Sequence, residues 1–160
     1  THVLKTPQQR QIGAARRALA ANSFCEAVTW SFMSREHAAL FGETPDSLRV
    51  SNPVASDLDQ MRPSILGHLA RAAQKAMDHG ERGAKLFEVG PIYVDPTAEG
   101  QHLAITGLVR PTQVRHWQQD RAYDSYAAKG DAFAALRDKS LKALMVGDGP
   151  DKENYLAQAE

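Results

Sequence analysis

The chain has 160 residues, 42% of them hydrophobic and 24% charged, which is the composition of a single globular domain with a sizeable core. Lys and Arg total 19 and Asp and Glu total 19, so the net charge is zero and a strongly basic nucleic-acid-binding domain is excluded. No apolar run reaches the roughly 20 residues that span a bilayer, and the single cysteine excludes an internal disulfide and a cysteine zinc cluster, which fits a reducing compartment.

The first predicted element is a helix with a complete N-terminal cap. Thr6 can accept a backbone hydrogen bond, Pro7 suits the first helical position, and Gln9 completes a Thr-x-x-Gln capping box. The helix is expected to end near Asn22, a residue that tolerates the left-handed conformation. Its apolar face, which is expected to bury against the chain's own sheet or a partner helix, consists of Ile12, Ala15, Leu19 and Ala20.

A strand is predicted directly after this helix. Bulky Val28, Trp30 and Phe32 alternate with small or polar residues, which predicts a strand over residues 27–32 with the bulky face buried. Ser34 is then expected to cap a short helix.

The next elements are a brief strand over residues 48–50 and the clearest helix of the chain. Asn52-Pro53 ends the strand, because proline disfavours the helical region for the residue before it. Pro63 is expected to open the helix, which carries a long apolar stripe and closes at Gly80.

A β-hairpin is predicted after the long helix. Its first strand covers residues 84–89, is interrupted at Gly90-Pro91 and resumes over 92–94. A turn at 95–100 leads into the returning strand at 103–109.

The remaining chain adds one helix and little regular structure. Residues 110–121 are polar and are predicted as a loop, 124–137 as the last helix, and 144–146 as a final apolar run. Strands joined by a hairpin, with long helices before and after, predict an α+β fold with a largely antiparallel sheet flanked by helices, in one domain over residues 1–160.

The sequence carries no signature of an enzyme active site. It lacks Gly-x-Ser-x-Gly and the Gly-x-x-x-x-Gly-Lys phosphate loop, and its six histidines lack metalloprotease spacing. Asp57 and Asp59 begin like a calcium loop without its remaining ligands, so a solvated helix end is the better interpretation. Cys25 is predicted to be a buried, inert thiol. We therefore predict no catalytic, cofactor-binding or metal-binding residue in this chain.

Several short segments, taken in order and with their spacing, resemble the β subunit of bacterial phenylalanyl-tRNA synthetase, and more narrowly its catalytic-like module. They are residues 24–32 (FCEAVTWSF), 51–53 (SNP), 61–66 (MRPSIL), 86–90 (LFEVG), Asp124 and 129–131 (KGD). Each string alone is weak evidence for this family, whereas all of them in this order are strong evidence. The match covers about residues 5–137.

The resemblance implies a class II aminoacyl-tRNA synthetase-like fold without activity of its own. In that family the α subunit carries the working active site, while the β module packs against the α subunit and helps to hold an (αβ)₂ assembly together in the cytoplasm. The family enzyme attaches phenylalanine to its tRNA. ATP and magnesium are therefore expected in the parent complex only, with the α subunit and tRNA(Phe) as partners and no membrane.

The expected nucleotide-binding arginine has no counterpart in this sequence. The resemblance implies a strand with Phe-Arg-x-Glu, whose arginine binds the ATP α-phosphate in two-point geometry. Here Phe87 is followed by Glu88, and if Glu88 is taken as the motif's glutamate, the arginine position falls on Leu86. Either register lacks the cation, which favours an inactive module.

Arg62 precedes a helix start, where the helix dipole disfavours a cation, so a specific partner is expected. That partner is either within the same chain, as an ion pair with Asp57, Asp59 or Glu88 or as a contact with a carbonyl, or it is a group of another subunit. The candidate structural or subunit-interface residues are Arg10, Ile12, Ala15, Leu19, Trp30, Asn52, Arg62 and Glu88.

Two alternative functions stay open. A diverged small-molecule-binding domain would carry a polar pocket near Glu88 and Thr106. A stand-alone RNA-binding module would use a basic stripe with an aromatic residue. The candidate RNA contacts are Arg110, Arg115, Trp117 and Arg121. Residues 138–160 do not resemble the family's continuation, so we expect either an excised fragment or a truncated copy, with an exposed sheet edge.

Overall fold

The computed structural model describes residues 5–111 and 123–136. The chain divides into two compact units, one made of residues 1–25 with 111–160 and the other of residues 26–110. In the described ranges no helix is long and apolar enough to cross a membrane. The predicted run at 144–146 lies outside these ranges.

Two helices form the described part of the first unit. Helix α1 (Pro7–Ala21) begins with the predicted capping box, and helix α4 (Ser125–Ala135) is capped by the Asp124 carboxylate, which accepts from the Ala127 amide at 2.8 Å. Within this unit α1 packs against α4. The helical end of α1 at Asn22 is confirmed, but the left-handed residue is Ser23 at φ 65°, one position later than predicted.

A carboxylate joins the two helices of the first unit. Asp131 of α4 accepts hydrogen bonds from the Asn22 side chain at 2.8 Å and from the Tyr123 hydroxyl at 2.7 Å. Two effects raise the pKa of the Tyr123 phenol above its usual value. Burial is the larger one, and the hydrogen bond to Asp131 is the second. Tyr123 therefore remains a hydrogen-bond donor throughout the physiological pH range.

The capping box of α1 gives a first testable expectation. The Thr6 hydroxyl accepts from the Gln9 amide at 3.2 Å, and the Gln9 side chain accepts from the Thr6 amide at 3.0 Å. Thr6→Val removes the hydroxyl at nearly constant shape and is expected to lower the free energy of unfolding by about 1 kcal/mol. Thr6→Ser keeps the acceptor and serves as the control. Equal urea midpoints for the two variants, measured by far-UV circular dichroism, would contradict the cap.

A long antiparallel hairpin is the main element of the second unit. Strand β4 (Ala84–Tyr93) pairs along its whole length with strand β5 (Gln101–Arg110). A turn joins the strands, and in it Asp95 accepts from the Thr97 amide at 2.7 Å. The predicted antiparallel α+β arrangement is confirmed, but the predicted interruption at Gly90-Pro91 is wrong, since Pro91 pairs with Leu103.

Proline fits inside β4 because its missing N–H lies on the side away from β5. On that side the Phe87 carbonyl accepts from the Ala27 amide at 2.7 Å and the Tyr93 amide donates to the Arg62 carbonyl at 3.1 Å. Backbone groups alternate between the two edges of a strand, so Pro91 points the same way as Phe87 and Tyr93. No hydrogen bond to β5 is therefore lost at this position.

Helix α3 (Leu66–Asp78) packs on both strands of the hairpin. It ends as predicted, with Gly80 in the left-handed region at φ 92°. Its start lies three residues after Pro63, and there the Ser64 hydroxyl accepts from the Leu66 amide at 3.2 Å. Short strand β1 (Cys25–Glu26) completes a three-stranded sheet in the order β1-β4-β5.

The remaining elements of the second unit are short. Strand β2 (Phe32–Met33) pairs antiparallel with β3 (Gln60–Met61), and helix α2 (Arg35–Ala38) is capped by Ser34 as predicted. A 3₁₀ turn (Asp46–Leu48) replaces the start of the strand predicted at 48–50, where only Arg49 forms a β-bridge, to Gln60. The strand predicted over 27–32 is also wrong, since residues 27–31 are irregular.

Candidate functional site

A buried ion pair lies in the second unit. Arg62 follows β3 and precedes α3, and its guanidinium Nη1 is 2.9 Å from Glu88 Oε1 on β4. The two residues are only 1% and 3% exposed. Of the three acids that the sequence offered as partners of Arg62, Glu88 is the one in contact.

Thr29 closes this ion pair into a three-membered network. Its hydroxyl accepts from Arg62 Nη1 at 2.9 Å and donates to Glu88 Oε2 at 2.6 Å. Both carboxylate oxygens therefore have a donor, and opposite charges neutralise each other away from water. A buried pair is tolerated only when its remaining polar atoms are satisfied in this way.

Backbone bonds extend the network to two chain segments. Arg62 Nε donates to the Pro91 carbonyl at 2.8 Å, and Nη1 also donates to the Trp30 carbonyl at 3.3 Å. The Arg62 amide donates to the Ser31 carbonyl at 3.0 Å. Arg62 therefore ties residues 29–31 to β4, and we call Arg62, Glu88 and Thr29 the arginine node.

The arginine node reverses the predicted orientation of residues 27–31. Because Thr29 points inward to the ion pair, its bulky neighbours point outward: Val28 is 88% and Trp30 66% exposed. The irregular backbone is held in place through its polar side chain and two carbonyls. The result is a fixed segment that presents two large apolar side chains to solvent.

Because Gly90 has no side chain, the space beside it is free for the Arg62 guanidinium. A Cβ atom at position 90 would lie 2.5 Å from Arg62 Nη2 and 3.2 Å from Glu88 Oε1. Such distances are far below van der Waals contact, so any side chain here would displace the guanidinium.

His68 is a second buried titratable group of this unit, on the first turn of α3. It is 9% exposed, and its Nε2 has no hydrogen-bond partner within the described ranges. Desolvation, and then the Arg62 charge, lowers the pKa of His68 below 6.5, while Glu88 and a hydrogen bond with the Phe32 backbone act in the opposite direction. The imidazole is therefore neutral at pH 7.

The other predicted interface residues are not members of the node. Ala15 and Leu19 are buried in the first unit, Ile12 is half-buried, and Arg10 and Asn52 are exposed. Arg110 is exposed at the end of β5, whereas the other candidate RNA contacts, Arg115, Trp117 and Arg121, lie outside the described residues. Cys25 is exposed, so the prediction of a buried thiol is wrong.

Sequence reasoning missed Thr29 and Gly90 as members of the site. The signal for Thr29 was a hydroxyl between the bulky residues Val28 and Trp30, which suggested only the outer face of a strand. The signal for Gly90 was a glycine two residues after a buried acid, on the same face of a strand. Neither signal identifies its partner, because Arg62 is 33 residues from Thr29 in sequence.

The described residues offer little for ligand chemistry. An open cleft of about 550 Å³ is lined by Asp46, Arg49, Ser51, Ser56 and Asp59 among others. Its cation Arg49 is 3.4 Å from Asp59. The polar pocket considered near Glu88 and Thr106 is filled on the Glu88 side by Arg62. No group of three or more His, Cys, Asp or Glu that could hold a metal exists in the described ranges.

A family profile and individual related proteins assign this chain to the same family. The sequence profile of the family described as "Phenylalanyl tRNA synthetase beta chain CLM domain" matches residues 1–155. The phenylalanine–tRNA ligase β subunit of Paramagnetospirillum magneticum is 37% identical over 156 residues, which cover 96% of this chain and 19% of that protein. The corresponding protein of Bradyrhizobium diazoefficiens is 42% identical, with 91% and 19% covered. The chain thus spans about a fifth of the length of these relatives.

The fold is also similar to a solved synthetase structure. The crystal structure of pyrrolysyl-tRNA synthetase from Desulfitobacterium hafniense superposes with a TM-score of 0.57 at 14% identity, covering 91% of this chain and 52% of that one. At this identity the likeness concerns the fold alone, which is that of class II synthetases.

Proposed function

Because this chain belongs to the family of phenylalanyl-tRNA synthetase beta chain CLM domains, we propose that it is a noncatalytic scaffold module. In this proposal it packs against the catalytic α subunit in the cytoplasm. It thereby supports the ATP-dependent attachment of phenylalanine to tRNA(Phe) without touching the reacting atoms.

The observation that carries this proposal is the state of Arg62. A phosphate-binding arginine must reach its ligand, whereas the Arg62 guanidinium is buried and bonded to Glu88, Thr29 and two carbonyls. A phosphate would have to displace a carboxylate from a site without solvent access, which is costly. The only buried cation in the described ranges is therefore committed to holding the fold.

Nucleotide and magnesium do not fit the described residues of this chain. Glu88, the buried acid on the sheet, is neutralised by Arg62, and the acids of the open cleft are paired: Asp59 with Arg49 and Asp46 with Arg35. We therefore assign ATP and magnesium to another part of the assembly and derive no step through them.

The exposed side chains of Val28 and Trp30 support a docking role. Large apolar groups cost free energy in water, and the arginine node fixes both residues in that position instead of letting them turn inward. A rigid apolar surface loses little conformational entropy on binding. We propose that this segment contacts the α subunit.

Calorimetry with an α subunit tests the scaffold proposal. The α subunit of the Bradyrhizobium diazoefficiens ligase, titrated with the full chain, is expected to bind with a Kd in the micromolar range or tighter. Val28→Ser with Trp30→Ser is expected to weaken binding at least about tenfold, as for apolar anchors at an interface centre.

Val54→Ser is the matched control, because Val54 and Val28 are equally exposed at 88%. It is expected to leave the Kd unchanged. No binding by the unmodified chain to a folded α subunit would overturn the scaffold proposal. Equal weakening by the control and by the Val28/Trp30 variant would overturn the assigned surface while leaving the scaffold role intact.

A further inference from the structure

Strand β5 has one edge that no other described strand occupies. In the three-stranded sheet β5 lies outermost, and its ten residues pair without interruption with β4 on one side. Within residues 5–111 and 123–136, no strand pairs with the opposite edge of β5. A strand edge of this length carries a row of backbone N–H and C=O groups that can bind another strand.

The ladder to β4 determines which backbone groups of β5 face outward. The Val94 amide donates to the carbonyl of Gly100, the residue directly before β5, so the even-numbered residues of this strand are the ones that bond to β4. Backbone groups alternate between the two edges of a strand, so the N–H and C=O groups of the odd-numbered residues face the open edge. These outward-facing residues are Gln101, Leu103, Ile105, Gly107 and Val109.

The open edge of β5 lacks the features that usually prevent strand pairing, which are proline, lysine and β-bulges. Strand β5 contains no proline and no lysine, and its register with β4 contains no bulge. Its residues from Leu103 to Val109 carry no charged side chain. An uncharged partner strand therefore fits this edge, and a second β5 has that composition.

We propose that the open edge of β5 binds the same edge of a second copy of this chain, as an antiparallel pair with its twofold axis at Ile105. In this register Leu103 lies opposite Gly107 and Gln101 lies opposite Val109, so all of the outward-facing residues pair at once. Residues that lie opposite each other belong to the same face of the sheet, as the alternation of side chains requires. Because one patch binds the identical patch, the assembly closes at two copies.

The charges at the two ends of the hairpin favour this antiparallel arrangement. Arg110 ends β5, while the turn before β5 carries the acids Asp95 and Glu99. In the proposed register Arg110 of one copy lies opposite Gly100 of the second copy, next to that acidic turn. Within one chain a ten-residue strand separates the two ends by about 30 Å, so Arg110 can meet Glu99 only across two copies. A parallel pair of β5 strands would instead place the two Arg110 side chains at the same end.

Analytical ultracentrifugation of the full chain across the micromolar range tests this pairing. The unmodified chain is expected to dimerise as its concentration rises. Arg110→Glu places a carboxylate beside the acidic turn of the second copy and is expected to weaken the dimer at least about tenfold, since the contact occurs twice. Glu99→Arg is expected to weaken it as well, and the combination of both substitutions is expected to restore it. Arg71→Glu makes the same charge change at an exposed position of α3 and serves as the control.

A monomer at every concentration would overturn the proposal, and so would a dimer that neither single charge reversal weakens more than Arg71→Glu does. Hydrogen exchange of the unmodified chain gives a readout that depends on no variant. The outward-facing amides of Leu103, Ile105 and Val109 are expected to gain protection several-fold between dilute and concentrated solution, whereas the Thr106 amide, which faces Glu88 of β4, is expected to be protected in both. Equal protection of the outward-facing amides at both concentrations would also overturn the proposal.

Discussion

Glu88→Leu is expected to lower the free energy of unfolding by about 3–5 kcal/mol, because it leaves the buried Arg62 guanidinium without a counter-charge. Arg62 is 1% exposed and cannot turn to water without breaking its bonds to Pro91 and Trp30. Arginine also cannot escape the cost by losing its proton. Urea unfolding at pH 7.5, followed by circular dichroism, measures the loss.

An exposed ion pair of the same unit provides the control for Glu88→Leu. Arg35 pairs with Asp46, whose side chain is 84% exposed, so Asp46→Asn is expected to cost less than about 1 kcal/mol. The double variant Arg62→Met with Glu88→Leu is expected to be more stable than Glu88→Leu alone, since an unpaired carbonyl costs less than an unpaired charge. A loss from Glu88→Leu no larger than that from Asp46→Asn would show that the buried pair does not hold the fold.

Gly90→Ala is expected to destabilise the chain by about 1–3 kcal/mol, the usual range for overpacking a core. The new methyl group would lie 2.5 Å from Arg62 Nη2. A flexible side chain would move aside, but the bonds from Nε and Nη1 hold this guanidinium on both flanks. The loss is measured as the decrease in the urea midpoint relative to the unmodified chain, with the dependence of the unfolding free energy on urea concentration unchanged.

Gly130→Ala is the matched glycine control, because nothing lies within 4 Å of a Cβ atom at that position in α4. It is expected to stabilise the chain by about 0.5–1 kcal/mol, as alanine does in a helix interior. In an Arg62→Met background the cost of Gly90→Ala should shrink, since methionine has no Nη2. The same cost in both backgrounds would mean that the clash with Arg62 is not its cause.

The parts of the fold that were predicted from sequence depend on short-range chemistry. The capping box at Thr6, the Ser34 cap and the helix end at Gly80 each involve residues within a few positions of one another. The antiparallel hairpin was recognisable because a turn separates two apolar runs of similar length. Such signals do not depend on what the segment later packs against.

The parts that were not predicted depend on distant partners. Alternation over residues 27–32 indicated which side chains share a face but not which face is buried, and the hydroxyl of Thr29 decided this through Arg62 and Glu88. For Arg62 the sequence indicated three acids as possible ion-pair partners, but it contained no information on which of them is in contact. Glu88 is 26 residues away, and only the packing of α3 on the hairpin brings the two together.

Pro91 and Arg62 also bear on how this protein avoids aggregation. On the side of β4 that faces away from β5, the sheet has only the two-residue strand β1 within the described residues, and an open strand edge is a template for a foreign strand. Here Pro91 offers no donor, its carbonyl is occupied by Arg62 Nε, and the Tyr93 amide is occupied by the Arg62 carbonyl. A foreign strand would therefore find no donor at Pro91, and the Pro91 carbonyl and the Tyr93 amide already bonded to one arginine, so this stretch of the edge offers few free groups for pairing.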